Sequence, residues 1–389
     1  MSFKALKTDD PIPILILDTI AFCELKCIMC PQSKPDNDPD YFRGIMDFEL
    51  YKKIIKEITS GKQMVNAILP FWNGEGPLHP NFKDMIKYAA KRNHINKGFN
   101  VFSLHTNFNS LNEELIKEMI DSQIFGPITI SLDAITEKTY SQIRIGGDFN
   151  RVMENIHFFL DYRKEKGFEY PSLIFQFIVM PQNVHEAKIF HDYWKKTLDD
   201  LGVRYKIGFD DTLNMDCDTI FFRRLNVDTN IGQKKSEDLH TKVITELGLW
   251  KPETSSRAII SDEFRVEEDI NLLTGDKKPV RRPCVGLWQH FGIRFDGETS
   301  ACCIDFKAKQ SLGNVYEQGL WNIWTGDKLK QYRIWHILGE FHKIPICAKC
   351  KNQPFHSISD DEIVEYLKNI DREDLIKPYL DRVTGKVTK

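Results

Sequence analysis

Six short apolar runs, at 14–17, 65–71, 100–104, 127–132, 173–180 and 203–209, alternate with stretches of helical period at 47–60, 81–92, 112–122, 148–166 and 184–198. Strand alternating with helix predicts parallel strands joined by right-handed crossovers. Six such units make a partial (β/α) barrel or an open doubly wound sheet, so the expected fold class is α/β. In either arrangement the functional groups gather at the C-terminal ends of the strands, which places the candidate site before any motif is read.

The alternation stops near residue 210. Residues 211–283 are rich in charge, lack clear strand alternation and offer one helix, at 236–247. A long irregular stretch of this kind is a functional insert or a linker. From residue 284 the composition shifts to Trp, Gly, Cys and Phe, which predicts a small second domain over 284–356. The tail, 357–389, opens with Ser359 and Glu362 at capping-box spacing, the signal for a short C-terminal helix.

A net charge of -3, with 28% charged and 41% hydrophobic residues, is the balance of a soluble globular chain. It gives no reason to expect nucleic acid or a membrane as a partner. The apolar run near the start is too short for a secretion signal or a membrane span, so the expected location is the cytoplasm. There, nine cysteines, an odd number, point to metal or redox chemistry rather than to disulfides.

Three of them, Cys23, Cys27 and Cys30, follow the first apolar run at C-x3-C-x2-C spacing. One loop of that length can wrap three irons of a 4Fe-4S cube and leave the fourth iron open to a substrate. The alternative is zinc with a distant fourth ligand, but zinc usually takes its thiolates as two close pairs.

With this loop after the first strand, the sequence resembles the radical S-adenosylmethionine (SAM) superfamily. The resemblance implies that the amino and carboxylate groups of SAM chelate the open iron. It also implies a flavodoxin- or ferredoxin-type electron donor and cleavage of SAM to methionine and a 5′-deoxyadenosyl radical, which takes hydrogen from the substrate. Further residues carry the likeness. Asn73-Gly74-Glu75-Gly76-Pro77 stands where the family has a Gly-Gly-Glu-Pro-like segment for the SAM amino group, with Asn73 replacing the first glycine and Gly76 added. Ser131 and Asp133, at the end of the fourth run, match positions that contact the ribose and methionine parts of SAM. Arg144 matches an arginine that pairs with the SAM carboxylate, a task suited to its planar fork. Asn107 follows the third run where a Thr-Asn-Gly-like turn is common. From the residues alone, Gly74 and Glu75 also fit a turn, Asp133 a helix cap, Arg144 a surface charge and Asn107 a turn.

Cys284, Cys302, Cys347 and Cys350 offer four further thiolates, with an Asp296-Gly297 hairpin between the first two. Spacing alone suits a zinc ribbon as well as a second 4Fe-4S cluster. The surrounding sequence, with Leu312-Gly313-Asn314-Val315, Leu320-Trp321-Asn322-Ile323-Trp324 and the final C-x2-C, resembles the SPASM/twitch domain of radical SAM enzymes. Without further cysteines after Cys350 it is similar to the shorter twitch form with one auxiliary cluster. The G-x4-C spacing from Gly297 selects Cys302 over Cys303. The expected whole is a partial (β/α)6 TIM-like barrel followed by a small α+β iron–sulfur domain.

An auxiliary cluster suits oxidation, because a substrate radical that has lost a proton is a strong reductant. Asp305 is the candidate proton acceptor; a turn aspartate is the other reading. The twitch likeness implies a small, sugar- or aminocyclitol-like substrate. A peptide or protein substrate, a redox-neutral epimerisation or elimination, and a non-catalytic electron carrier are the alternatives.

Overall fold

Strand β1 (Ile12–Leu17) is apolar throughout and almost wholly buried, as befits a strand covered on both faces. The later strands keep an apolar core but are less uniform. They are β2 (Val65–Leu69), β3 (Phe99–Thr106), β4 (Phe125–Ser131), β5 (Leu173–Val179), β6 (Tyr205–Phe209) and β7 (Asp218–Arg224). The crossover helices are α1 (Phe48–Ile58), α2 (Phe82–Ile95), α3 (Glu113–Asp121), α4 (Glu137–Ile143), α5 (Phe149–Glu165) and α6 (Ala187–Leu201), with α7 (Asn230–Glu246) after β7. The computed structural model describes residues 11–33, 43–61, 63–209, 216–226, 230–249, 281–348, 350 and 358–384.

Among the described residues nine strands form one unclosed sheet, in the order β6-β7-β5-β4-β3-β2-β1-β8-β9. All pairings from β6 to β8 are parallel. Successive side chains face opposite ways. Phe175, Phe177 and Phe222 turn to α6, where Phe175 stacks on Trp194 and Phe177 and Phe222 meet Phe190. His105, Ser131, Gln176 and Arg223 therefore turn to the concave face.

The sheet extends into the stretch expected to be irregular. β7 lies between β5 and β6, so 203–209 supplies the edge strand and not the neighbour of β5. The charges flanking its short apolar core hide it in the sequence. In the fold they are neutralised: Asp218 pairs with Arg163 of α5, and Arg224 with Glu237 of α7. The helix expected at 236–247 is α7, which begins earlier. Residues 211–215, 227–229 and 250–280 lie outside the described residues.

The C-terminal part does not stand apart from the sheet. After α8 (Gly286–Gln289), β8 (His290–Ile293) pairs in parallel with β1, Ile14 opposite His290 and Leu17 opposite Ile293. The chain then turns through Gly297, at φ +86°, into antiparallel β9 (Thr299–Ser300). Short helices α9 (Val315–Gln318), α10 (Leu320–Trp324), α11 (Asp327–Leu338) and α12 (Pro345–Ala348) follow. The tail forms α13 (Asp360–Asn369), opened by the Ser359/Glu362 capping box, and α14 (Ile376–Val383). Lys53 of α1 donates to the Val315 carbonyl at 2.6 Å, and Glu57 accepts from the Leu320 amide at 2.8 Å, joining the two parts.

The buried Arg163–Asp218 pair is bidentate, at 2.8 and 2.5 Å, and Asp218 also accepts from the Leu173 amide at 2.7 Å. Removing one partner leaves a charge without compensation inside the protein. Arg163→Ala should cost about 3–5 kcal/mol in chemical denaturation; a loss within experimental error would show that β7 does not depend on this pair.

Candidate active site

The cysteine loop leaves the end of β1 and is held by backbone contacts on two sides. Lys26 and Ile28 donate their amides to the carbonyls of Ile145 and Ile143, at the end of α4, at 2.8 and 3.1 Å. On the other side the Glu75 amide donates to the Phe22 carbonyl at 2.8 Å. Gly74 lies so close beneath the loop that an added Cβ would meet the Ile20 carbonyl oxygen at 2.2 Å and the Phe22 amide nitrogen at 2.5 Å. Only glycine fits there. Asn73, which replaces a glycine of the family pattern, has a role of its own. Its amide and side chain both donate to buried Asp18, at 3.0 and 3.2 Å.

Glu75 is buried and satisfied by its neighbours. It accepts from the Thr106 hydroxyl, from the Asn107 amide at 3.1 Å and from Ser110 at 3.3 Å. Asn107 reaches across to Glu24 at 3.1 Å and stands 3.8 Å from the Cys23 sulfur. The end of β3 thus meets the cysteine loop through Asn107.

Asp133 follows β4 in the left-handed region, at φ +59°, wholly buried. It accepts from the Ile178 amide at 2.7 Å and forms a buried ion pair with Arg144. Arg144 in turn places Nη1 3.4 Å from the Cys27 sulfur. Burial pushes the Cys27 thiol up, and Arg144 pulls it back. The Arg144 Nε is buried without a partner. An unpartnered cationic donor on the arginine beside Cys27 fits an anionic cluster or the carboxylate of its ligand. Ser131 ends β4, half-buried, opposite Gln176.

The second group of thiols assembles around β8 and β9. Burial first, then mutual repulsion, pushes Cys284 up to about 11 and Cys347 up to about 12, and lifts Cys302 and Cys303. The neighbours responsible are Cys303 and Cys350 for Cys284, and Cys284 and Cys350 for Cys347. Cys303, like Cys302, lies within electrostatic reach of the other thiols. Neighbouring thiols whose charged forms repel one another suit ligation, which removes their protons. Among the described residues, no three His, Cys, Asp or Glu side chains converge on a point that would hold a single metal ion. Thiolates on separate irons of a cube need no such convergence.

Asp305 is not open to a substrate. It is 2% exposed, accepts from the Lys309 and Gln310 amides at 2.9 Å each, and from Ser300 at 3.1 Å. Trp72, which no sequence signal singled out, joins the two cysteine groups: its ring packs on Gly292 and its Nε1 donates to the Cys303 carbonyl at 3.0 Å. Asp18 and Glu24 were also missed, because an acidic residue beside a strand or a cysteine has no signature until the partner segment is placed.

Two family models match the chain: the radical SAM superfamily over residues 17–192, and SPASM, an iron–sulfur cluster-binding domain, over residues 284–351. A curated relative, the tungsten-containing aldehyde ferredoxin oxidoreductase cofactor-modifying protein of Pyrococcus furiosus, is 24% identical over 353 residues, 86% of each chain. Among solved structures, anSMEcpe with bound AdoMet matches at TM-score 0.55 and 16% identity, covering 97% of this chain and 99% of that one. SuiB of Streptococcus suis bound to S-adenosylmethionine matches at TM-score 0.51 and 14% identity, covering 89% and 73%. At such identities these likenesses concern the fold. Among the described residues no helix is long and apolar enough to cross a membrane.

Two outcomes are expected. Gly74→Ala should push the cysteine loop off its support, so that anaerobic reconstitution gives about four irons per chain where the wild type gives about eight; full loading of the variant would contradict the role given to this contact. Burial pushes the Glu75 carboxyl up to about 8 from its ordinary 4.5. The folded chain then holds a proton that the unfolded chain releases, so stability falls as pH rises between about 4.5 and about 8. Glu75→Gln should flatten that part of the stability–pH curve of the cluster-free protein, and an unchanged slope would show that the carboxyl titrates normally.

Proposed function

We propose, since this chain belongs to the radical SAM superfamily and carries a SPASM domain, that it oxidises a small, sugar- or aminocyclitol-like substrate, with one auxiliary 4Fe-4S cluster in a twitch-type domain. When bound, the first cluster supplies the electron that cleaves SAM, whose 5′-deoxyadenosyl radical takes a hydrogen atom from the substrate, and the second accepts the electron the substrate radical gives up.

The chain's own residues have these proposed tasks. Cys23, Cys27 and Cys30 hold three irons. Gly74 and the neighbouring backbone shape the floor for the SAM amino group, with Glu75 behind it. Arg144, fixed by Asp133, presents its unpartnered Nε to the carboxylate. Ser131 and Asn107 line the approach from β4 and β3. Cys284, Cys347, Cys350 and one of the adjacent Cys302 and Cys303 hold the second cluster. Asp305 fixes the turn that carries those two cysteines. A carboxylate already accepting three hydrogen bonds is a poor proton acceptor, so the expected catalytic role moves away from it.

The observation that carries the oxidative reading is the Trp72 bridge. It holds the Cys303 backbone against the segment that runs into Asn73-Gly74-Glu75, just beyond the C-terminal end of β2, where barrel enzymes gather their chemistry. A modifying role is the second reading. It draws on the Pyrococcus furiosus relative, described as cofactor-modifying, and on the Streptococcus suis protein, which was solved bound to a precursor peptide.

Cys347→Ala tests the electron-accepting role of the second cluster. If the auxiliary cluster accepts an electron, the variant should still form 5′-deoxyadenosine while oxidised product falls much further. The measurement is the ratio of the two in single-turnover assays, with circular dichroism as the control for folding. An unchanged ratio in a folded variant would rule out electron acceptance and favour a redox-neutral reaction such as epimerisation.

A further inference from the structure

The concave face of the sheet carries polar side chains that neither cysteine group uses. His105 of β3 stacks on Phe71, with ring centroids 4.7 Å apart. Gln176 of β5 and Arg223 of β7 face the same space, and Arg223 Nη1 lies 3.4 Å from Gln176 Oε1. The facing follows from strand alternation. Arg224 turns to α7 and pairs with Glu237 at 2.6 Å, and Phe222 packs on Phe190, so Arg223 between them points the other way. Its charge reaches His105: burial, then Arg223, depresses that imidazole to about 4.

Several arginines are held by ion pairs, and among the described residues Arg223 is not. Arg144, Arg163, Arg224, Arg282 and Arg294 each pair with a carboxylate. Arg223 has one long contact to a neutral amide, and its side chain is exposed. A lone exposed arginine is ordinary on an outer surface. This one stands at the C-terminal end of a barrel strand, on the inner face, where barrel enzymes bind their substrates.

We propose that Arg223, with Gln176 and His105, forms a subsite that binds a carboxylate group of the substrate. The inference rests on the radical SAM reading above and adds a substrate class to it: a small polyhydroxylated acid. The planar guanidinium offers a carboxylate two parallel N–H donors. The amide and the imidazole add neutral polar groups suited to neighbouring hydroxyls. Charge decides between a carboxylate and a phosphate. With the imidazole uncharged at neutral pH, the three side chains carry one positive charge, which balances one carboxylate and leaves a phosphate dianion half neutralised.

Isothermal titration calorimetry of the anaerobic, cluster-loaded protein with gluconate, glucose and inorganic phosphate tests this, with and without saturating SAM. Gluconate should bind about tenfold or more tightly than glucose. Arg223→Gln should weaken gluconate by about the same factor and leave glucose unchanged, with Arg223→Lys in between because lysine keeps the charge and loses the fork. No gluconate binding, equal affinity in wild type and Arg223→Gln, or tighter binding of phosphate would each overturn the proposal. So would loss of gluconate binding when SAM is present, which would assign Arg223 to SAM. These readouts need no SAM cleavage. A protein that binds gluconate through Arg223 yet forms no 5′-deoxyadenosine would sink the functional reading and leave the subsite standing.

Discussion

The contact on which the site depends is the buried run from Asp133 through Arg144 to Cys27. It joins the ends of β4 and α4 to the cysteine loop, 117 residues away along the chain. A carboxylate with no exposure to water is costly unless it is paired and hydrogen-bonded. Asp133 meets both conditions, through Arg144 and the Ile178 amide. The left-handed backbone at Asp133 belongs to the same arrangement, because it turns the side chain back towards β5 as the chain leaves β4. Arg144 is thereby fixed with one edge on Asp133, one nitrogen near a thiol and one nitrogen free. A positive charge held in place before any ligand arrives needs no reorganisation when an anion binds.

The other side of the loop is set by close packing and not by charge. Gly74 leaves no space for a side chain, and Asp18, Glu75 and Thr19 tie the ends of β1, β2 and β3 together. The C-terminal part is built onto this frame. β8 continues the sheet beyond β1, and the absence of a side chain at Gly292 makes room for Trp72, which reaches Cys303. The two cysteine groups are therefore placed by one sheet, and a shift in β1 would be felt at both.

Much of this was legible in the sequence. The period of the apolar residues gives the strands and helices, and the cysteine spacing gives the two groups of thiols. What stayed hidden shares one physical cause: its meaning depends on a partner far along the chain. The three apolar residues of β7 read as a strand only when Arg163 and Glu237 arrive to neutralise its flanking charges. The Asp-Gly hairpin is visible locally, but its pairing with β1 is not. Asp305 read as a proton acceptor or a turn aspartate, and only the fold shows the two amides and the hydroxyl that occupy it. Cys303 is adjacent to Cys302 in any reading, and spacing alone could not reveal that both lie within electrostatic reach of the other thiols.

The central claim is that the loop at Cys23, Cys27 and Cys30 holds a cluster with one iron open to SAM. Electron–nuclear double resonance on the reduced protein tests it most directly, with SAM carrying nitrogen-15 in its amino group and oxygen-17 in its carboxylate. The account predicts hyperfine coupling from both labels to a single cluster, one that persists when the C-terminal cysteines can no longer bind iron. Bound SAM that shows no coupling to iron, or coupling that vanishes with the C-terminal cluster, would contradict it.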